Sequence, residues 1–355
     1  MLLHNRISKK ELKEWIKTDE VQRTTLSFYR YVQIQNPQEV RDQLYKQFDA
    51  IDCKGRIYVA HEGINAQMSV PTHEFAMFEK QLNELPQFAG VPFKFAVEDS
   101  GKSFYKLAVK VRDKIVADGI NDPTFDASNT GKYLNAVEFN QALAQQNVIV
   151  IDMRNHYESE VGHFKGALAP NADTFREELP MVINALKDKK DHKILMYCTG
   201  GIRCEKASAY LKHEGFQDVN HLQGGIIQYA KEIKEQGLES QFLGKNFVFD
   251  ERLGERITDD VLAQCHQCGA SCDNHTNCAN DDCHLLFIQC DDCKAKHHNC
   301  CSTNCHAISL LPIEEQRVLR KGRVKNGPEC LAVYKSRLRP NLKDLIANNP
   351  SLIKL

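Results

Sequence analysis

The sequence predicts an α/β multidomain protein: an α+β module, then an α/β module with a central parallel sheet, then a small cysteine-rich region suited to zinc. Three observations carry this. The first hundred residues alternate strand and helix periodicity in the order βαββαβ, the stretch from Val148 to Leu222 alternates short apolar strands with helical segments, and ten of the 14 cysteines fall between Cys265 and Cys305. With 355 residues, 42% hydrophobic and 26% charged, the chain has material for two or three separately cored domains. It contains no apolar run of the roughly eighteen residues a membrane span needs. The start, M-L-L-H-N-R-I-S-K-K-E-L-K-E-W, puts charges where an export signal needs an apolar core. The expectation is a cytoplasmic protein with no membrane partner. A net charge of -1 argues against indiscriminate nucleic-acid binding, and DNA is not an expected partner, but a basic face balanced elsewhere stays open.

Residues 1–22 read as an amino-terminal extension and 23–118 as the first domain. There T-L-S-F-Y-R-Y-V-Q-I has strand character, P-Q-E-V-R-D-Q-L-Y-K-Q-F has helical spacing, and G-R-I-Y-V-A-H-E-G-I-N-A-Q-M-S-V gives two strands around His61-Glu62-Gly63. A helix, E-F-A-M-F-E-K-Q-L-N-E-L, and a strand, F-K-F-A-V, complete the split pattern of a ferredoxin-like α+β domain. The His61 to Gln67 stretch reads as a plain hairpin turn before it reads as a binding loop. Residues 119–130, rich in turn formers, read as a linker, and 131–240 as the α/β domain. Its strands are V-I-V-I-D, K-I-L-M-Y and D-V-N-H-L. Residues 241–310 form the cysteine-rich domain and 311–355 a basic tail.

Cys198 closes the strand K-I-L-M-Y and opens the turn C-T-G-G-I-R ahead of a helix. Open α/β sheets bind ligands at that end of their strands. Amides around Thr199, Gly200, Gly201 and Ile202 can converge on the sulfur, and a helix amino terminus favours an anion, so an exposed, low-pKa nucleophile is expected. Arg203 closes the loop with fixed charge and directed donors. Cys204, one turn into the helix, reads as packing, with a resolving thiol as the alternative.

The loop C-T-G-G-I-R resembles the active-site loop of rhodanese domains. The upstream I-D-M-R-N-H-Y-E-S-E-V-G-H-F-K-G-A-L matches their signature through Asp152, Arg154, Glu158, Gly162, His163, Gly166 and Ala167, and H-L-Q-G-G-I matches near the domain's end. The resemblance implies a cysteine able to carry persulfide. Asp152 and Arg154 fit loop-fixing partners better than acid or base catalysts. An acylphosphatase-like amino-terminal module with H-E-G-I-N-A-Q, then F-Y-K-L-A-V-K-V-R-D-K-I-V, a rhodanese-like domain, F-V-F-D-E-R and a cysteine-rich tail together resemble the bacterial tRNA uridine hydroxylases. That family implies 5-hydroxylation of the wobble uridine with molecular oxygen as co-substrate, the anticodon loop of tRNA as partner, and Cys198 as catalytic cysteine. The alternative is a sulfurtransferase that passes persulfide sulfur from Cys198.

No dinucleotide fingerprint or evident histidine-carboxylate triad points to flavin, NAD, haem or a redox metal, which leaves a thiol route. Cys198 either attacks carbon 6 of the pyrimidine or carries an oxidised or persulfidic sulfur. Cys265-x2-Cys268 and Cys290-x2-Cys293 have the spacing of a tetrahedral zinc site, and Cys278-x4-Cys283 with Cys301-x3-Cys305 suits a second. Cys272, Cys300 and several histidines compete with them. For RNA, Lys106, Lys110, Arg112 and Lys114 alternate along one face of an expected strand near Phe104 and Tyr105, and Arg317, Arg320, Lys321, Arg323 and Lys325 form a second basic run.

Overall fold

Alternation along β1 (Arg23–Tyr31) decides how the amino-terminal unit is built: Leu26 and Phe28 enter a core, so Ser27, Tyr29 and Tyr31 take the other face. The structure, a computed structural model, describes residues 7, 9–99 and 101–320. Before β1 stands α1 (Lys9–Thr18); after it come α2 (Pro37–Ala50), the hairpin β2 (Lys54–Ala60) and β3 (Gly63–Pro71), α3 (Phe75–Asn83), β4 (Lys94–Phe95) and β5 (Leu107–Val111). The sheet order is β4-β1-β3-β2-β5, with β5 parallel to β2 and the other pairs antiparallel. Thus the expected βαββαβ unit carries a fifth strand, formed by L-A-V-K-V, and F-K-F-A-V pairs over only two residues. Val40, Leu44 and Phe48 of α2, with Phe78 and Leu82 of α3, cover the Leu26–Phe28 face. The opposite face carries two cross-strand rows, Ser27–Gln67–Arg56 and Tyr29–Asn65–Tyr58, and it looks toward the second unit.

That unit runs β6 (Lys132–Leu134), α4 (Ala136–Leu143), β7 (Val148–Asp152), α5 (His156–Ser159), β8 (Gly162–Phe164), α6 (Phe175–Leu186), β9 (Lys193–Tyr197), α7 (Ile202–His213), β10 (Asp218–Leu222) and α8 (Gly225–Gln236). Strands β6-β10-β9-β7 form a parallel sheet. Both faces of β9 are covered, which is why its sequence is apolar throughout. Ile194, Met196 and Cys198 share a core with residues of α6 and α7, while Leu195 and Tyr197 pack with residues of α4 and α8. Each such fully buried side chain contributes about 1.5–3 kcal/mol, enough to fix the strand end that carries Cys198.

The last region opens with β11 (Phe242–Asn246), which pairs with β8 and with β12 (Glu255–Arg256). A hairpin, β13 (His275–Asn277) and β14 (Leu286–Ile288), and helices α9 (Asp291–His297), α10 (Thr303–Leu310) and α11 (Ile313–Arg320) follow. Among the described residues no helix is long and apolar enough to cross a membrane.

Candidate active site

Gly201 makes the turn after Cys198 possible. Its φ of +96° is costly for any residue with a Cβ, and a Cβ there would stand 2.9 Å from the Tyr29 hydroxyl. In this conformation the Gly201 amide donates to Cys198 Sγ at 3.2 Å as α7 begins. Gly225 lets the start of α8 approach from the other side. A Cβ on it would meet the Cys198 and Thr199 carbonyls at 2.5 and 2.6 Å, and instead Ile226 and Ile227 donate to those carbonyls at 3.0 and 3.2 Å. Burial by itself would push the Cys198 thiol up. The Cys204 thiol, the Arg203 charge and the Cys204 and Gly201 amides reverse this, pulling the thiol down to about 6. Burial and the neighbouring sulfur push Cys204 well up, so it serves as a neutral donor.

One expectation is corrected here. Cys198 is not exposed: the amino-terminal unit lies over the loop, and the residue is fully buried at the floor of a cavity. Arg203 does not aim its donors at the sulfur. Its guanidinium holds both oxygens of the buried Glu158 at 2.6 and 2.8 Å and reaches the Thr199 hydroxyl at 3.4 Å, so Cys198 feels its charge without its hydrogen bonds. Thr199 also donates to Glu158 at 3.2 Å. Asp152 and Arg154 form a fully buried pair at 2.6 and 2.8 Å. Asp152 accepts from the Tyr197 hydroxyl at 2.8 Å, and Arg154 donates to the Gly162 carbonyl at 2.6 Å, tying the ends of β7, β8 and β9 together.

Tyr29 and Lys94 hang over this floor. Tyr29 donates to Glu205 of α7 at 2.8 Å, and the Lys94 ammonium sits 4.3 Å from the centre of its ring. Burial lowers Lys94 to about 8 against the opposing pull of Glu205 and the Cys198 thiolate. Deeper in the interface, buried Lys206 of α7 pairs with Glu62 at 2.7 Å and Asp118 at 2.6 Å. The H-E-G stretch is indeed a tight hairpin turn, and its glutamate also bolts the two units together. A third wall comes from F-V-F-D-E-R, where the Phe249 carbonyl accepts from Arg56 at 2.7 Å. Floor, roof and wall enclose about 430 Å³, within the range of small-molecule sites.

Within the cysteine-rich region the thiols of Cys265, Cys268, Cys290 and Cys293 gather in one set, and those of Cys278, Cys283, Cys301 and Cys305 in another, each with its sulfurs within 4.8 Å. Neither Cys272 nor Cys300 belongs to a set. The Cys268–Cys290, Cys283–Cys301 and Cys301–Cys305 sulfurs lie 3.6, 3.7 and 3.6 Å apart. Tetrahedral zinc with thiolate bonds of about 2.3 Å needs an edge of about 3.8 Å, so both donor sets fit zinc. The region also props the cavity wall. His266 meets Glu160 at 2.9 Å, and the His275 and Tyr157 rings lie 5.0 and 5.4 Å from Phe247.

The basic residues separate. Lys110 is the cross-strand neighbour of Tyr58, and the Arg112 guanidinium lies 5.4 Å from the ring of Tyr58, which lines the cavity. Lys106 lies at the other end of β5 with Tyr105, lining a separate hollow against α1, while Phe104 lines the main cavity. Lys114 is tied to Asp118 at 2.6 Å and Arg317 to Glu314 at 2.7 Å. Arg320 ends α11, and Lys321, Arg323 and Lys325 lie outside the described residues. Sequence reasoning missed Tyr29, Lys94, Glu205 and Arg56 altogether. Only the alternation of polar and apolar residues in β1 and β2 hinted that a second sheet face had work to do.

Residues 23–115 match the UPF0176 acylphosphatase like domain, 135–232 the rhodanese-like domain, and 243–306 the family described as Rhodanase C-terminal. The tRNA uridine(34) hydroxylase of Leptospira interrogans is 54% identical over 343 residues, spanning 97% of this chain and 93% of that protein. The Salmonella typhimurium protein of the same name is 57% identical over 342 residues, spanning 96% and 97%. That of Photorhabdus laumondii is 54% identical, spanning 96% and 97%.

Proposed function

The chain belongs to the tRNA uridine(34) hydroxylase family, and we propose that it hydroxylates carbon 5 of uridine 34 in tRNA with the Cys198 thiolate as the reacting group. One observation carries the assignment of Cys198: a thiol lowered to about 6 forms the floor of a cavity whose roof is polar and aromatic. Such a space suits a base swung out of the anticodon stack. The thiolate adds to carbon 6 of the pyrimidine, and the electron pair of the ring double bond moves toward carbon 5 and the carbonyl oxygen. Carbon 5 thereby becomes nucleophilic and takes up O2 as a hydroperoxide. A two-electron reductant of the thiol class, two RSH giving RSSR, cleaves the O–O bond and releases the second oxygen atom as water. Loss of the carbon 5 proton then expels Cys198 from carbon 6 to restore the ring double bond. Lys94 faces the developing negative charge, and the loop amides hold the thiolate before and after addition. Molecular oxygen is the co-substrate. Arg203 and Glu158 keep the loop in shape, with Asp152 and Arg154 below it.

The persulfide-transfer alternative shares the loop but has no use for a roofed cavity of this size. Mass analysis of tRNA nucleosides from cells with and without the gene, complemented by wild type or Cys198→Ser, tests the assignment. 5-Hydroxyuridine present at wild-type level with Cys198→Ser removes it.

The two cysteine sets are read as holding one zinc ion each, through Cys265, Cys268, Cys290 and Cys293, and through Cys278, Cys283, Cys301 and Cys305. Zinc there supplies folding energy, and no step of the reaction passes through it. Elemental analysis of reduced protein should give about two zinc ions per chain. Lys110 and Arg112 are proposed to meet phosphates of the anticodon loop, and the cytoplasm, where thiols stay reduced, is the proposed compartment.

A further inference from the structure

Fixed polarity in a chain of amides decides what the roof of the cavity can read. The Ile115 carbonyl can only accept, so Asn65 gives it an Nδ2 proton at 3.2 Å, and Asn65 Oδ1 is left to accept from Gln67 Nε2 at 2.7 Å. Gln67 Oε1 therefore ends the chain as an acceptor, on a residue that lines the cavity, with no protein partner among the described residues. Its amide cannot turn over, because that would set two carbonyl oxygens against each other. Directly across the strand pair, Arg56 gives one nitrogen to the Phe249 carbonyl at 2.7 Å, while its Nε is buried with no partner. A buried donor left in that state is waiting for an acceptor.

We propose that Gln67 and Arg56 are the base-reading pair of this site, Gln67 Oε1 accepting N3–H of the target uracil and Arg56 donating to a flanking carbonyl. This rests on the reading of the chain as acting on uridine. The pairing edge of uracil runs acceptor, donor, acceptor. Cytosine puts an acceptor at N3 and a donor amino group at position 4, so an immovable acceptor beside a cationic donor attracts the first and repels the second. Both residues stand on paired strands, which hold a reading edge more tightly than a loop does.

The test measures modification of an anticodon stem–loop carrying uridine 34, with a stem–loop carrying cytidine 34 as competitive inhibitor. Wild type should prefer uridine by at least about tenfold, comparing KM with Ki. Gln67→Met should bring that ratio to within about twofold, with the pH profile of Cys198 alkylation and the Tm unchanged. Asn65→Ala, which frees the amide to turn over, should relax it without removing Gln67. A Gln67→Met protein with the wild-type ratio overturns the proposal, and so does one whose alkylation profile moves, since the roof would then only support the floor. If wild type forms no 5-hydroxyuridine, the assigned reaction fails by itself, and direct binding of the two stem–loops still decides whether Gln67 reads the base.

Discussion

The floor and the roof of the cavity are built on opposite plans. Beneath lie six consecutive residues, Cys198 to Arg203, whose work is done largely by backbone: amides on the sulfur, a left-handed glycine, a helix start. Above lie side chains spaced two apart on three strands of another unit, with Gln67 hydrogen-bonded to Asn65. In the floor, the Cys204 thiol, the Arg203 charge and the loop amides together lower the sulfur's pKa against its burial; in the roof, side chains present the polar groups that a bound base would meet. Changes in the floor should therefore alter chemistry and its pH dependence, and changes in the roof should alter what is bound.

The largest effect is expected at the centre of the floor. Cys198→Ser should leave the fold intact but reduce 5-hydroxyuridine formation by at least about 10³-fold, because the hydroxyl stays protonated where the thiol ionises. Nucleoside mass analysis with purified tRNA measures it.

Next comes the charge pair beside the sulfur, where two substitutions should act with opposite sign. Wild-type Cys198 should alkylate with a midpoint near pH 6, the thiolate being present above it and lost as pH falls through it. Arg203→Met removes a cation and strands Glu158, so the midpoint should rise toward the ordinary thiol value of about 8.5, with activity at pH 7 down about tenfold or more. Breaking so buried a pair should also cost about 3–5 kcal/mol of stability. Glu158→Gln removes a nearby negative charge, so the midpoint should fall. Arg203→Lys keeps the charge and should lie between wild type and Arg203→Met. Iodoacetamide rates against pH decide all three, and shifts of the same sign would show that the pair acts on loop shape alone.

These partners also mark what could be read in the sequence. Cys198, its glycines and Arg203 were legible because the turn is contiguous, and the cysteine pairs because the two members of a short spacing share a turn. Glu158 and Arg203 are 45 residues apart, and nothing local says that they meet. Tyr29 belongs to a strand whose apolar members, Leu26 and Phe28, announce the core while the polar ones read as solvent-facing, and Lys94 stands between Phe93 and Phe95 on a strand of two residues. They become site residues only because one unit docks face-down on another, through Lys206, Glu62 and Asp118. Exposure of Cys198 was misjudged for the same reason.

A smaller effect should come from the lysine of the roof. Lys94 is lowered to about 8 by burial, so its cation is present below that pH and lost above it. If it steadies the charge that develops on the pyrimidine, kcat should decline above pH 8 in wild type. Lys94→Met should be several-fold slower at pH 7 and lack that decline. A variant that keeps the basic limb would assign the limb to another group and leave Lys94 as packing against Tyr29.

The smallest effect should lie at the rim, and it tests how far the roof extends toward the RNA. Lys110 and Arg112 flank Tyr58, which lines the cavity, whereas Lys106, on the same strand face, sits about 13 Å from Lys110 and lines a different hollow. Phosphates of a loop that delivers its base into the cavity must pass the mouth, so the first two lysine and arginine charges should be felt and the third should not. Lys110→Ala with Arg112→Ala should raise KM for tRNA about three- to tenfold at physiological salt and leave kcat unchanged. The slope of log affinity against log salt should lessen by about 0.7 for each phosphate of the single-stranded loop that the variant no longer neutralises. Lys106→Ala should change neither. Were Lys106→Ala to weaken binding as much as the other two, the RNA would lie along the whole outer strand, and the mouth would not be its point of entry.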